Sequence, residues 1–139
     1  MEIFIEPQPL TDFFGYELSP FLCHFPKTGV VVIYDTEFTS WPQALETGWR
    51  SPNQHREIFQ FGALKIHLGE NWRVVDEICL LIRPTINPIL SDYVCQLTGV
   101  SNNMMSQAFS VRMAFELLQE FCTGCDFIMS NGWWSFVCI

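Results

Sequence analysis

The chain is poor in positive charge. It has 7 lysines and arginines against 15 aspartates and glutamates, which gives a net charge of −8. Polyanions are attracted by positive potential, so this composition argues against a protein that binds nucleic acid over its whole surface. A polyanionic partner would need a local basic patch or a bound metal ion.

Three further features are missing. No apolar run is long enough to span a membrane. Residues 1–9 have no basic region and do not resemble a secretory signal, so the 6 scattered cysteines are expected to be reduced in a cytoplasmic protein. Cys122 and Cys125 form a lone CxxC motif, and a structural zinc site would need a second pair of ligands.

The chain does contain enough apolar material for one domain with a core. Its 139 residues are 49% hydrophobic and include 13 phenylalanines, which is too apolar for a disordered chain and too short for two domains. Prolines interrupt residues 1–29, which we interpret as an irregular leader. Residues 30–139 would then form the folded part.

Hydrophobic patterns predict an α/β or α+β layered domain. The predicted elements are strands at 30–38, 58–68, 72–82 and 126–130 and helices at 92–98, 102–107 and 110–122. The short turn at 69–71 predicts that the second and third strands form an antiparallel hairpin, with the first strand beside them. Residues 39–56 contain turn formers and no periodicity, so no regular element is expected there.

The helix ends and faces are also predicted. Ser91 and Ser101 are expected to cap the two short helices, and Gly99 is expected to end the first. The last helix should have one apolar face because its hydrophobic residues recur at helical spacing. The residues assigned to that face are Val111, Ala114, Phe115, Leu118 and Phe121.

The first strand runs into two carboxylates. Side chains alternate across a strand, so Asp35 and Glu37 point to one face and Thr36 to the other. The Val/Ile run before them predicts a strand buried on both faces, where neighbouring carboxylates repel unless a cation lies between them. Oxygen-rich sites of this kind suit Mg²⁺ or Mn²⁺. The alternative is a strand that simply runs out into solvent.

The loop at 39–56 holds groups that could contact an anion or a nucleobase. They are the cations Arg50, His55 and Arg56 and the aromatic residues Trp41 and Trp49. Tryptophan rings stack on bases, but they are also often buried. The alternative is that both indoles lie flat on the domain and cover its core.

Three ordered segments resemble one family. They are Asp35-Thr-Glu37, His55-Arg-Glu-Ile-Phe-Gln-Phe-Gly-Ala63, and Arg83-Pro-Thr-Ile-Asn-Pro-Ile-Leu-Ser-Asp-Tyr93 followed by Leu97-Thr-Gly-Val100. Together they resemble the DEDDh-type 3′-to-5′ exonucleases, most closely the Eri-type exoribonucleases and their bacterial relatives. The resemblance extends over about residues 30–134. It implies a ribonuclease H-like fold, in which helices flank a mixed sheet.

The resemblance also implies a chemistry for the acid pair. The family hydrolyses phosphodiester bonds at the 3′ end of RNA or DNA, with two divalent ions, Mg²⁺ or Mn²⁺, held by four acidic side chains. By similarity, Asp35 would bridge both ions, and Glu37 would hold one and lie near the terminal 3′-hydroxyl. Thr36, Phe38 and Thr39 would line the pocket for the last nucleotide. The implied partners are single-stranded 3′ ends, with RNA favoured.

The second motif of the family is incomplete in this sequence. Ser130-Asn-Gly-Trp-Trp-Ser135 matches the pattern Ser-x-Gly-x-Trp-Asp up to its last position. Ser135 stands where the third acidic ligand is expected, and a neutral hydroxyl does not replace a carboxylate electrostatically. Asn131 and Trp134 are the nucleic-acid contacts that the motif implies. Asp126 precedes the apolar run of the fourth strand and is not expected to reach the site.

The last family motif, a histidine followed by a fourth aspartate, is expected beyond Ile139, because His24, His55 and His67 are not placed to supply it. We therefore expect the N-terminal part of an exonuclease domain, incomplete at its C-terminus, either as a fragment or from an interrupted reading frame. A natural short form that dimerises is the less favoured explanation. Hydrolysis by this chain is expected to be poor or absent. The alternatives are an inactive module that binds nucleic acid or protein, and an acidic α/β domain with an unrelated role.

Overall fold

A mixed sheet of four strands lies at the centre of the computed structural model, which describes residues 27–130. The strands are β1 (Gly29–Phe38), β2 (Ile58–Leu68), β3 (Arg73–Leu81) and β4 (Phe127–Ser130). They lie in the order β3-β2-β1-β4, with β1 antiparallel to β2, β2 antiparallel to β3, and β1 parallel to β4. The predicted hairpin, the position of the first strand beside it and the α/β class are confirmed.

The described residues also form four helices. They are α1 (Ala44–Thr47), α2 (Asp92–Thr98), α3 (Asn102–Met105) and α4 (Val111–Phe121). Ser91, Ser101 and Ser110 cap the last three, and each hydroxyl accepts a hydrogen bond of 3.2–3.3 Å from the backbone N–H three residues later. Gly99 ends α2 with a φ of 75°, which glycine adopts without steric cost. The predicted caps and the glycine stop are confirmed.

The connection between β1 and β2 contains a helix that the sequence did not predict. α1 is one turn long, and the N–H groups of Gly48 and Trp49 bond to carbonyls within it. Ala44 buries this turn against the domain. The expectation that residues 39–56 hold no regular element is therefore wrong, because a single turn is too short to show a hydrophobic period.

One face of the sheet packs against α4. Val32 of β1 and Ala63 of β2 form a buried cluster with Phe121 of α4. The rings of Tyr34 and Phe61 stack in the same cluster, with their centroids 5.1 Å apart. We call this side of the sheet the helix-covered face, and burial of its apolar surface holds α4 in place.

The buried side of α4 differs in part from the prediction. Ala114 and Phe121 are buried and Leu118 packs beside them, but Val111 and Phe115 are 57% and 61% exposed. The predicted apolar face is therefore buried only in part. A hydrophobic period identifies a helix, but the sheet determines which part of the apolar stripe is covered.

A second cluster lies where β2 meets α2 and α3. Phe59 is fully buried there. The other buried members of the cluster are Leu90, Val94, Val100, Met105 and Ala108. Because Ile58 pairs with Phe38, this cluster supports the end of the sheet at which β1 stops.

A carboxylate ties β4 to the start of β1. Asp126 Oδ2 accepts a hydrogen bond of 2.8 Å from the Val30 N–H, and the Asp126 N–H donates to the Val30 carbonyl. Gly29 permits this approach, because a Cβ at that position would lie 2.7 Å from Asp126 Oδ2. Asp126 therefore lies roughly 17 Å along the strand from Asp35. The prediction that it does not reach the acid pair is confirmed.

β3 is the most exposed of the four strands and lies at one edge of the sheet. Val74 and Val75 are 55% and 46% exposed. Its pairing with β2 shifts register between Lys65 and Ile66. Only the end of β3 nearest Leu80 is buried in the core.

Some predictions concern residues outside the described part of the chain. They are the leader up to residue 26 and the motif residues Asn131, Trp134 and Ser135. These stay predictions from sequence. Within residues 27–130, no helix is both long and apolar enough to cross a bilayer.

Candidate functional site

Asp35 and Glu37 lie near the end of β1, on the side of the sheet opposite the helix-covered face. β2 pairs with β1 so that Gly62 lies across from Asp35 and Gln60 lies across from Glu37. These four residues and Thr36 line one open pocket of about 170 Å³. We call this side of the sheet the acid face. The two carboxylates lie together at one end of one strand, as the alternation of side chains predicts.

The acid pair is more exposed than the sequence indicated. Val31 and Val32 are buried on the two faces of β1, but burial ends before Asp35, and both carboxylates are exposed. The expectation of a strand buried on both faces holds only for the first half of β1. Water therefore screens the repulsion between the two acids, and the site is open to a ligand from solution.

The acid pair has the ligand chemistry of a divalent metal site. In the described part of the chain, the sole ion pair joins Arg112 and Glu116, so no protein cation neutralises the pocket. Asp35 Oδ1 accepts a hydrogen bond of 2.8 Å from the Thr36 N–H, which orients this carboxylate. Mg²⁺ is commonly held by one or two carboxylates together with waters and substrate phosphates. Asp35 and Glu37 fit such a set.

A third protein ligand of this kind does not adjoin the pair within residues 27–130. No group of three or more His, Cys, Asp or Glu side chains in that range is arranged to hold a metal ion. The two carboxylates alone fit one divalent ion whose other positions stay open to water or phosphate oxygen.

A cation lies between two aromatic rings just beyond the acid pair. The Arg56 guanidinium carbon is 4.0 Å from the ring centroid of Phe38 and 5.0 Å from that of Trp49. Trp49 Nε1 donates a hydrogen bond of 3.2 Å to the Thr39 carbonyl, which fixes the indole. Arg56 is therefore held against Trp49 of the loop and against Phe38, the residue that follows the acid pair in β1.

Thr39 closes the loop between β1 and β2. Its side chain is 2% exposed, and Oγ1 donates to the His55 carbonyl at 2.6 Å and accepts from the Glu57 N–H at 2.9 Å. Its hydroxyl is fully used within the protein, so we assign it a structural role. The predicted contacts of Thr39 and Phe38 with the last nucleotide stay predictions, while Thr36 does line the pocket.

Glu57 is a structural residue that the sequence pattern did not reveal. Its carboxylate accepts hydrogen bonds of 2.8–3.1 Å from the hydroxyl and N–H of Thr85 and from the N–H groups of Ile86 and Asn87. Burial acts to raise the pKa of Glu57, but these hydrogen bonds outweigh it and hold the pKa below its ordinary value. They tie the start of β2 to the segment between β3 and α2.

Gln60 and Gly62 are pocket residues that sequence reasoning also missed. Their alternation along β2 was a usable signal, because both must lie on one face of the strand. Which residues of β2 lie opposite the acids depends on the pairing register, and the hydrophobic pattern alone does not determine that register.

The sequence of residues 32–138 matches the family RNase_T, described as Exonuclease. The chain belongs to this exonuclease family. The match includes the acid pair and every residue that lines the pocket. No curated protein matches the sequence significantly.

Solved exonucleases share the fold of this exonuclease chain. A crystal structure of a full-length 3′-exonuclease has a TM-score of 0.62 and 19% identity, covering 78% of this chain and 48% of that one. The nuclease domain of 3′hExo, a DEDDh family member bound to rAMP, has a TM-score of 0.60 and 20% identity, with coverages of 76% and 52%. A structure of a 3′-exonuclease recognising the histone mRNA stem-loop has a TM-score of 0.57 and 20% identity, with coverages of 79% and 49%.

The family match confirms the predicted exonuclease family, and the structural similarities confirm the predicted fold. This exonuclease chain spans about half the length of the structures it matches. The described residues contain the β1 acid pair and the sheet that positions it.

Proposed function

We propose that this exonuclease domain binds the 3′ end of a single nucleic-acid strand, with Asp35 and Glu37 holding a divalent ion at the terminal phosphodiester. The observation that carries the proposal is the open pocket lined by two exposed carboxylates, neither of which forms an ion pair with another described residue. A bound Mg²⁺ or Mn²⁺ would supply charge stabilisation for the phosphate oxygens during hydrolysis.

The residues of the chain have separate roles in this proposal. Asp35, oriented by the Thr36 N–H, binds metal, and Glu37 binds metal and faces the terminal 3′-hydroxyl. RNA is the favoured substrate, by analogy with the similar structures that contain rAMP or recognise an mRNA stem-loop. The net charge of −8 is compatible with a polyanionic substrate because the metal supplies positive charge where the phosphate binds.

Hydrolysis by the 139-residue chain is proposed to be weak. The family pattern calls for aspartate where this sequence has Ser135, and a hydroxyl provides neither the charge nor the metal affinity of a carboxylate. Two of the four acidic ligands of the family are assigned, and both lie on β1.

The decisive experiment follows 5′-labelled single-stranded RNA and DNA incubated with the chain and Mg²⁺ or Mn²⁺. We expect little or no shortening by the wild type, faster shortening by Ser135→Asp, and none by Asp35→Ala. Asp76→Ala is the matched control, because Asp76 also accepts a hydrogen bond from the next N–H but lies on β3. Robust wild-type cleavage would contradict the weak activity, and cleavage that survives Asp35→Ala would contradict the assigned site.

A second candidate is a catalytically inactive module that binds single strands. The observation that favours it is Arg56, fixed between Phe38 and Trp49 at the end of β1, where it could contact phosphate and support base stacking. This function predicts binding without added metal and a steep decrease in affinity with salt. Binding that requires Mg²⁺ and survives Arg56→Ala would favour the metal-dependent function instead.

A further inference from the structure

The turn that joins α4 to β4 carries two thiols. Cys122 directly follows the last residue of α4, and Cys125 lies three positions later, shortly before β4 begins. Both are half-buried free cysteines that pack against the cluster formed by Val32, Ala63 and Phe121. This cluster lies on the helix-covered face, so the two thiols have no part in the function proposed for the acid pair.

The backbone between the two cysteines is a tight turn. The Cys125 N–H donates a hydrogen bond of 3.2 Å to the Cys122 carbonyl, and Gly124 takes a positive φ of 74°, which glycine adopts without steric cost. The ends of such a turn have Cα atoms less than about 7 Å apart, and disulfide-bonded cysteines have Cα atoms about 4.4–6.8 Å apart. The turn therefore holds the two cysteines at a separation that a disulfide can bridge.

The turn is fixed on both sides. The Cys122 N–H donates a hydrogen bond of 2.9 Å to the Leu118 carbonyl and so continues the bonding pattern of α4. The Asp126 N–H donates a hydrogen bond of 2.8 Å to the Val30 carbonyl and so joins the residue after Cys125 to β1. Because the backbone is already ordered, little conformational entropy is lost when the two sulfurs become bonded.

A lysine of β2 lies beside the turn. Lys65 Nζ donates a hydrogen bond of 3.4 Å to the Thr123 carbonyl, and it is 5.0 Å from the centroid of the Phe121 ring. Burial and the neighbouring Cys125 raise the pKa of the Cys122 thiol, while the charge of Lys65 acts to lower it. Thiolates are the attacking form in disulfide exchange, so we assign the first attack to Cys125 and the second to Cys122.

We propose that Cys122 and Cys125 form a reversible disulfide site that reacts with small-molecule disulfides such as glutathione disulfide. The Cys125 thiolate attacks one sulfur of glutathione disulfide, forms a mixed disulfide and releases one glutathione. Cys122 then attacks the Cys125 sulfur and releases the second glutathione. Two protein thiols are oxidised to one disulfide, glutathione disulfide is reduced to two thiols, and the protons of the protein thiols end on the two glutathiones.

The bridge would connect the end of α4 to the start of a short strand. β4 has four residues and pairs in parallel with β1 alone among the described strands. A disulfide stabilises a protein mainly by restricting the unfolded chain, and a ring closed over so few residues restricts it only a little. We therefore expect the oxidised chain to melt about 2–5 °C higher than the reduced chain.

The test equilibrates the reduced 139-residue chain with mixtures of glutathione and glutathione disulfide in the absence of oxygen. Free thiols are then blocked with a maleimide, and the cysteines are mapped by mass spectrometry. Exposed Cys79 serves as the internal reference for a single thiol. We expect about half of the chains to carry a Cys122–Cys125 link at a mixture that converts at most about one tenth of Cys79 to its mixed disulfide.

Two substitutions test the link itself. Cys122→Ser and Cys125→Ser should each abolish it, and the glutathione adduct of Cys125 should accumulate in Cys122→Ser because the thiol that displaces glutathione is gone. Cys79→Ser is the matched control and should leave the amount of link unchanged. Thermal unfolding of the reduced variants checks the fold, and either serine variant of the turn is sufficient if the other does not fold.

Four results would overturn the proposal. The pair could stay reduced at mixtures that oxidise Cys79, which would show two unreactive core thiols. Cys122 or Cys125 could instead link to a different cysteine. The purified chain could retain about one equivalent of zinc that both serine variants lose, which would show that the pair is half of a metal site. A linked chain that melts at the temperature of the reduced chain would refute the stabilising role of the bridge.

Discussion

The helix-covered face and the acid face are built from alternate residues of the same two strands, yet they differ in almost every property. Val32, Phe61 and Ala63 pack against α4 on one side. Asp35 and Gln60 line an open, polar pocket on the other. No helix of the described residues forms part of that pocket lining.

This difference separates stability from binding. Apolar burial contributes most of the free energy that holds the sheet and helices together, both on the helix-covered face and at Val31 and Leu68 on the opposite side. The pocket on the acid face contributes little to it, because the carboxylates and the amide of the pocket are accessible to water in the free protein. Substitutions on the two faces should therefore affect different measurements, and the following predictions test that separation from the largest effect to the smallest.

Phe59→Ala should lower the free energy of unfolding by about 3–5 kcal/mol, because it empties the cluster between β2 and the two short helices. Urea denaturation monitored by circular dichroism measures this change. Phe115→Ala is the matched control on α4, since Phe115 is 61% exposed, and its change should stay within about 0.5 kcal/mol. Equal losses in the two variants would contradict the assignment of the core.

Asp35→Asn should weaken divalent-metal affinity by about tenfold or more, equivalent to about 1.4 kcal/mol or more. Its stability without metal should be unchanged or slightly raised, because one of two neighbouring like charges is removed. The measurement is the rise in melting temperature on adding Mn²⁺, which the variant should lose. Asp76→Asn on β3 should keep that rise, and its loss there would show that metal binding is not specific to the pocket.

Glu57→Gln should destabilise the fold by about 1–2 kcal/mol at neutral pH, because a neutral amide replaces the acceptor of the clustered N–H donors. The folded pKa of Glu57 is lowered, so its stabilisation is present above the ordinary value of 4.5 and is lost as pH falls through the folded pKa. The difference between wild type and variant should therefore shrink in acid.

Denaturation curves at pH 7 and at a pH below 4.5 measure this dependence. Glu70→Gln, in the exposed turn between β2 and β3, is the control and should show no such change. If the difference in free energy of unfolding between wild type and Glu57→Gln does not change with pH, the charge of Glu57 is not what stabilises this cluster of hydrogen bonds.

Alkylation of Cys79 should have the smallest effect. Cys79 is exposed, and its Sγ accepts a hydrogen bond from the Gln60 amide. Burial, with a further effect of the neighbouring Cys125, raises the pKa of the Cys122 thiol, so Cys122 should react more slowly. A bulky maleimide on Cys79 should weaken ribonucleotide binding by about two- to threefold. The same treatment of Cys79→Ser gives the background from the other cysteines, and equal losses in both would exclude an effect through Gln60.

Much of the fold was predictable because its signals are local. β2 was predicted at its observed bounds, and serine caps mark helix starts through a bond to a residue three positions away. The proximity of Asp35 and Glu37 also follows from strand alternation alone. These features need no knowledge of what lies across the sheet.

The remaining features depend on contacts between distant segments. The exposure of Phe115 depends on where the sheet covers α4. The hydrogen bonds of the Glu57 carboxylate come from backbone N–H groups about 30 residues later. Gln60 and Gly62 join the site only through the β1–β2 register. These contacts join residues that are far apart in the sequence, so they could not be predicted before the packing and strand pairing of the domain were known.

The exposed edge of the sheet has a consequence for the behaviour of the chain in solution. An edge strand with exposed apolar side chains can serve as a template for strand addition by another molecule. In β3, Val74 and Val75 are exposed to solvent. Arg73, Asp76 and Glu77 place charges on this same strand, and the register shift beside it interrupts a flat edge. Charged residues on an edge strand oppose strand addition, so we expect neutralisation of Arg73, Asp76 and Glu77 to increase self-association of the domain through this edge.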